Sequence, residues 1–139
     1  MFSKVNLVST CVTAIWCFFG GYLLWGIIAD PILRDHIGTA NATMKEMPDM
    51  MHLATGCALV GLFFSHIFSK WSRGAHSISQ GAEFGIMIGL LLGFGNGIID
   101  FSTMGILDLT GTLINGIVYV VHFAIMSVLA SIVFNKMSD

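Results

Sequence analysis

Four long apolar stretches, separated by shorter polar segments, organise the chain. They run from about Leu7 to Ala29, Met50 to Phe68, Ala82 to Ile99 and Leu113 to Phe134. A helix needs about 20 apolar residues to cross the hydrocarbon core, and each stretch approaches or exceeds that. The apolar residues follow one another without alternation, so the pattern predicts helices rather than barrel strands. The expected fold is all-α: a single integral membrane domain built as an antiparallel four-helix bundle.

The polar segments between the stretches are unequal. The first, Asp30 to Asp49, holds both prolines (Pro31 and Pro48) together with Arg34, Asp35, Lys45 and Glu46. Asp30-Pro31 reads as a helix end, and Asp49 as the cap of the second helix. The second segment, Lys70 to Gln80, carries Lys70 and Arg73. The third, Asp100 to Thr112, carries Asp100 and Asp108 and no basic residue. Lys4, Lys70, Arg73 and Lys136 fall on one side of the bundle, against Arg34 and Lys45 on the other. The positive-inside rule then puts both termini in the cytoplasm. Trp25 and Trp71, near helix ends, fit interfacial anchoring. Lys4 followed by an apolar run also suits a signal peptide. The run continues through Trp25 and Ile28 without an A-x-A-like cleavage site, so a retained first helix is expected. Val8-Ser9-Thr10-Cys11 resembles a lipoprotein site only loosely, and no lipidation is expected.

Composition agrees with this picture. The chain is 55% hydrophobic and 10% charged, whereas a soluble domain carries about a quarter charged residues. A formal net charge of −2, with scattered basic residues, argues against a nucleic-acid partner. Cys11, Cys17 and Cys57 all lie in apolar stretches and form no CxxC, so they read as reduced packing residues.

Small residues supply the strongest spacing. Gly81, Gly85, Gly89, Gly93 and Gly97 recur every four residues and therefore share one face of the third helix. In lipid, helices associate through close backbone approach, which glycine permits. The groove suits either another helix of the same chain or a second subunit. The first is favoured because an intramolecular partner is always near. Ser9, Thr13, Cys17 and Gly21 repeat the spacing in the first helix, and Ala54, Ala58, Gly61 and Ser65 approximate it in the second. A tight bundle follows, with bulky Phe, Leu and Ile facing lipid.

Polar residues at membrane depth are the candidate site, because ionisable groups there are costly. His122 lies near the middle of the fourth helix and shares a face with Thr112, Asn115 and Tyr119. It suits either a structural hydrogen bond, which is favoured, or a proton relay, ligand contact or metal ligand. Glu83 matches His66 in depth, and Asp100, one turn after Asn96, matches His52. Each pair suits an interfacial hydrogen bond. His52, His66 and His122 differ in depth, so no bis-His haem is expected. No HxxxH or HExxH supports zinc, with His36 and His76 isolated in loops. Gly93-Phe94-Gly95-Asn96-Gly97 lacks the lysine and the strand of a phosphate loop. No cofactor is expected.

Several blocks carry a resemblance. They are Trp25-Gly26-Ile27, Ala42-Thr43-Met44-Lys45-Glu46-Met47-Pro48-Asp49-Met50, Ile67-Phe68-Ser69-Lys70-Trp71, Gly81-Ala82-Glu83-Phe84-Gly85 and Asp108-Leu109-Thr110-Gly111-Thr112. Together they resemble small four-pass inner-membrane proteins of unknown function from flavobacteria and their relatives. The resemblance implies a bacterial inner-membrane location and brings no activity or site residues.

Three functional readings follow. The favoured one is a non-catalytic, non-enzymatic packing or accessory protein, either a homo-oligomer or a subunit of a larger membrane complex. An oligomeric channel or proton-linked small-solute transporter is the alternative, supported by Asn96, Asp100, Glu83 and His122. A membrane redox or enzyme component would need clustered polar groups that the spacing does not supply.

Overall fold

A computed structural model of the protein describes residues 3–39 and 47–137. The middle of the first loop, with Lys45, Glu46 and part of the Ala42–Met50 block, lies outside the described residues. Four helices are long and apolar enough to cross a membrane: α1 Lys4–His36, α2 Met50–Trp71, α3 Ile78–Thr103 and α4 Leu109–Met137. Their mean hydropathies lie between 1.5 and 2.4, and the molecule is a multi-pass membrane protein with an all-α four-helix bundle. The only extended pairing among the described residues is one bridge, Ile37 with Leu107.

Each helix runs beyond its apolar stretch, because polar caps satisfy the first backbone N–H groups. The Ser3 hydroxyl accepts from the Asn6 N–H, Asp49 from Met51 and His52, and Ser77 from Gln80. Asp108 Oδ1 accepts from the Gly111 N–H at 2.6 Å. At its other end α1 does not stop at Asp30-Pro31 as expected. It continues through Asp30–Leu33 and a 3-10 turn, Arg34–His36. Residues Tyr22–Ala29 form a π-helical stretch, and the Asp30 N–H bonds back to the Trp25 carbonyl. Such a widened register leaves a carbonyl without its usual partner, so the missing N–H of Pro31 removes little. A second π-helical stretch, Leu90–Asn96, interrupts α3.

Around the bundle the order is α2, α1, α4, α3. The glycine stripe of α3 lies against α4 of the same chain. A Cβ on Gly81 would stand 2.7 Å from Ser131 Cβ, and one on Gly93 2.6 Å from Tyr119 Cβ. On Gly85 it would collide with the Phe123 carbonyl, and on Gly89 with Val120 Cα. Gly97, where the helices begin to separate, leaves ordinary room at 3.6 Å from Thr112 Cγ2. The α1–α2 contact is equally close. Gly61 faces the backbone of Thr10 and Ala14, and Ser9 and Ser65 share a 2.9 Å hydrogen bond. The Thr13 hydroxyl donates to the Ser9 carbonyl at 2.8 Å, and Cys17 meets Cys57. Gly21, the last residue of the α1 stripe, faces open space.

The expectation that phenylalanines face lipid holds at Phe19 and Phe63, which are exposed, and needs correction for five others. Phe64, Phe68, Phe84, Phe123 and Phe134 form the core with Met126 and Ala130, in the half of the bundle nearer the chain ends. Helices α2 and α3 do not approach backbone to backbone, and rings fill the gap. Phe84 lies 5.3 Å from Phe64, 5.5 Å from Phe68 and 5.2 Å from Trp71 between centroids. Leucine and isoleucine do face outward, as at Ile15, Ile27, Leu91 and Ile99.

The opposite half, at the end that carries the first and third loops, is thinner. There the α1 end is strapped to the α3–α4 turn. The Gly38 N–H donates to the Ile106 carbonyl, and the Asp108 N–H to the His36 carbonyl, both at 2.8 Å. His36 Nδ1 lies 3.0 Å from Asp108 Oδ2. The Gly111 N–H, then His36, hold the Asp108 carboxyl below the usual carboxylate range. Beside this strap, every residue of α2 from Met50 to Gly56 is exposed. That segment spans nearly two turns, so all faces of the helix are bare there.

At the core end, His76 sits in the α2–α3 turn against Phe134 and Phe68, with Nδ1 2.9 Å from the Ser72 hydroxyl. Burial pushes its imidazole below the usual histidine range. The folded state therefore binds a proton less readily than the unfolded chain. The stability His76 confers is complete above its ordinary pKa of 6.5 and is lost as pH falls below it. Melting temperature in detergent is expected to fall between about pH 7 and about pH 5, and His76→Gln to shrink that fall. An unchanged slope in the variant would remove His76 as its cause.

Candidate functional site

The buried polar face of α4 is the candidate site. His122 is 3% exposed and sits where α1 crosses α4. Its ring stacks on Trp16, with centroids 5.8 Å apart and 24° between planes. Trp25 meets it edge-on at 5.1 Å. Trp25 also lies 4.9 Å from the Tyr119 ring, and its Nε1–H donates to Asn115 Oδ1 at 2.7 Å. The Trp16 Nε1–H donates to the His122 carbonyl at 3.0 Å. Two indoles of α1 thus each give their single N–H to α4.

Local sequence explains the arrangement. Asn115, Tyr119 and His122 share one face at three- and four-residue steps. Trp25 belongs to the π-helical stretch of α1, and its ring turns inward rather than to the membrane surface. Its expected role as an interfacial anchor is thereby corrected. Trp71, the other expected anchor, is half-buried and packs against the core. On the far side of α4, Phe94 from the π-helical stretch of α3 lies 3.0 Å from where a Gly116 Cβ would stand. Both widened stretches carry an aromatic ring laid against α4, consistent with the tendency of π-turns to mark specialised positions.

His122, Tyr119 and Asn115 therefore come together as their spacing predicts, with Trp16 and Trp25 added. The remaining candidates do not join this cluster, though Asp100 borders a cavity that Asn115 also lines. His52 is exposed and its Nδ1 lies 2.8 Å from Asp49 Oδ2. Asp100 Oδ2 accepts from Asn96 Nδ2 at 2.9 Å. His66 keeps a buried Nδ1 with no partner, and Glu83 is exposed without an ion pair among the described residues. The expected pairs His66–Glu83 and His52–Asp100 are not formed. Matching depth was insufficient, because α2 and α3 do not approach backbone to backbone: aromatic rings fill the gap in the half that holds His66, and α2 is bare around His52.

Chemically, the His122 cluster is a closed, rigid contact. His122 Nδ1 is buried and has no hydrogen-bond partner among the described residues. Among the described residues no three His, Cys, Asp or Glu converge as a metal site. Sequence reading missed Trp16. Spacing alone gave no signal, since nine residues make about two and a half turns of a regular helix and set Trp16 and Trp25 on opposite faces; the π-helical stretch that begins at Tyr22 changes that register.

Beyond Asn115 the polar face opens into a cavity of about 110 Å³ between the end of α3, the α3–α4 turn and the start of α4. Asp100, Thr112 and Asn115 line it together with apolar groups. No family model, curated protein or solved structure matches the chain.

Proposed function

We propose that the protein is a non-catalytic accessory subunit of a membrane assembly, docking other transmembrane helices through the outer half of α2. One observation carries this reading: from Met50 to Gly56 the helix is bare on every face. His52, Ala54, Thr55 and Gly56 within it are poor lipid-facing residues. Small and hydroxyl side chains are what helices use to approach one another in a membrane. The α2 stripe is only half engaged inside the chain. Gly61 and Ser65 meet α1, while Ala54 and Ala58 on the same face stay exposed. The α3 glycine stripe, being filled by α4, contributes nothing to an external interface. The location we infer is the bacterial inner membrane, as the family resemblance implies. Lys4, Lys70, Arg73 and Lys136 support a cytoplasmic position for both termini.

The test is cross-linking in native membranes. In a variant with Cys11, Cys17 and Cys57 replaced by serine, Ala54→Cys is expected to give a discrete product with a bifunctional maleimide. Ile15→Cys, on the outer face of α1, is expected to give none. Native mass spectrometry then separates a second copy from a different subunit. Equal labelling patterns at the two positions, with only monomer extracted, would overturn the reading.

A second reading, a subunit for solute permeation, is favoured by one feature. The polar cavity at Asp100 adjoins Asn115, which leads through Trp25 to the buried His122. Loss of flux in His122→Ala with assembly retained would support it.

A further inference from the structure

The cavity beside Asp100 has a chemistry of its own, independent of the accessory reading. The loop end of the bundle is rich in aspartate, and most of these carboxylates have a basic side chain beside them. Asp30 pairs with Arg34 at 2.7 Å, Asp108 with His36 and Asp49 with His52. Asp35 lies exposed on the 3-10 turn. Asp100 differs. It lines an indented site, its Oδ2 is engaged only by the neutral Asn96 amide, and Oδ1 has no hydrogen bond among the described residues.

The rest of the lining is mostly apolar with a few polar groups. Thr112 and Asn115 supply the polar part; Phe101, Ile106 and Leu107 supply the apolar part. Asn115 Oδ1 accepts from Trp25 and retains a second lone pair, and the Thr112 hydroxyl donates to the Asp108 carbonyl, leaving its own oxygen free to accept. Three acceptors thus border one carboxylate-lined hollow. Its wall is held in place, since Ile106 and Leu107 belong to the strap that joins the α1 end to the α3–α4 turn.

We propose that this cavity binds a small primary ammonium group, with Asp100 as its counter-ion. An alkylammonium carries three N–H donors, matching the carboxylate and two neutral acceptors, and its carbon atoms suit the Phe101, Ile106 and Leu107 wall. Calcium is a poorer match, because it takes about six to eight oxygen ligands and the hollow offers three acceptor groups. The volume of about 110 Å³ exceeds several times the roughly 10–15 Å³ that one water occupies by the same measure. It therefore admits a group of ethanolammonium size. Two sources share that chemistry: a free amine, and the amine headgroup of a lipid at the membrane surface where α3 ends.

Two assays distinguish the sources. In maltoside micelles, isothermal titration with ethanolammonium chloride, against potassium chloride, reads the free amine. Native mass spectrometry after exposure to an equal mixture of phosphatidylethanolamine and phosphatidylglycerol reads the headgroup. Asp100→Asn is expected to weaken whichever binding is seen by at least about tenfold, since a charge-assisted hydrogen bond is lost. Ile106→Trp, which fills the hollow while keeping the carboxylate and the backbone strap, is expected to abolish it. The second variant serves if the first does not fold. Amine binding in titration identifies a free ligand. Selective retention of the ethanolamine lipid without it identifies the headgroup. Absence of both in the wild type, or binding unchanged in the folded variants, overturns the proposal.

Discussion

Leucine at Gly89 is expected to drive α3 away from α4 and lower the melting temperature of the detergent-solubilised protein by about 10 °C. The added Cβ alone would overlap Val120 Cα and approach the Tyr119 carbonyl. Neither atom belongs to a flexible side-chain end, so relief requires moving a helix. Overpacking costs about 1–3 kcal/mol where side chains rearrange. A backbone obstacle puts this site at the upper end, and each kcal/mol is worth about 4 °C in a domain of this size. Gly21→Leu and Gly56→Leu are the controls, because nothing lies within 4 Å of a Cβ at either position. Circular dichroism melts of the three variants decide the matter. A Gly89 variant that melts with the controls would show that α3 and α4 are not held by close backbone approach.

Phe68→Ala is expected to be the most damaging single truncation. Phe68 is 0% exposed and touches three rings: Phe84 at 5.5 Å, Phe134 at 5.7 Å and His76 at 5.9 Å. In a soluble core such a change costs about 3–5 kcal/mol, part of it transfer from water and part the cavity left behind. In a bilayer the surrounding tails are as apolar as the core, which weakens the transfer part and leaves the lost contacts. A loss of about 2–3 kcal/mol follows, read by unfolding in mixed micelles. The same change opens His76 to water, so the fall in stability below pH 6.5 should also shrink. Full stability in the variant would mean that the phenylalanine cluster is not the joint between α2 and α3.

How far the site was legible follows from which neighbours it needs. Asn115, Tyr119 and His122 could be grouped from spacing alone because they occupy one helix. The indoles that enclose them could not. Trp25 near a helix end has the appearance of a surface anchor, and only the π-helical widening of α1 turns it inward. Paired depths likewise suggested His66 with Glu83 and His52 with Asp100. Depth specifies height in the membrane and says nothing about which faces two helices turn to each other or how closely they approach.

The chain by itself determined that four apolar segments become four spanning helices, since lipid leaves the backbone no other way to satisfy its hydrogen bonds. It determined the cap at Asp49, and the flat face of α3, because glycine every four residues exposes bare backbone. Tertiary structure alone decided that α4 fills that face, that the ring order runs α2, α1, α4, α3, and that five of the phenylalanines lie inside. Water ordinarily sorts residues into inside and outside by hydropathy. Lipid is as apolar as the core, so shape complementarity chooses the neighbours.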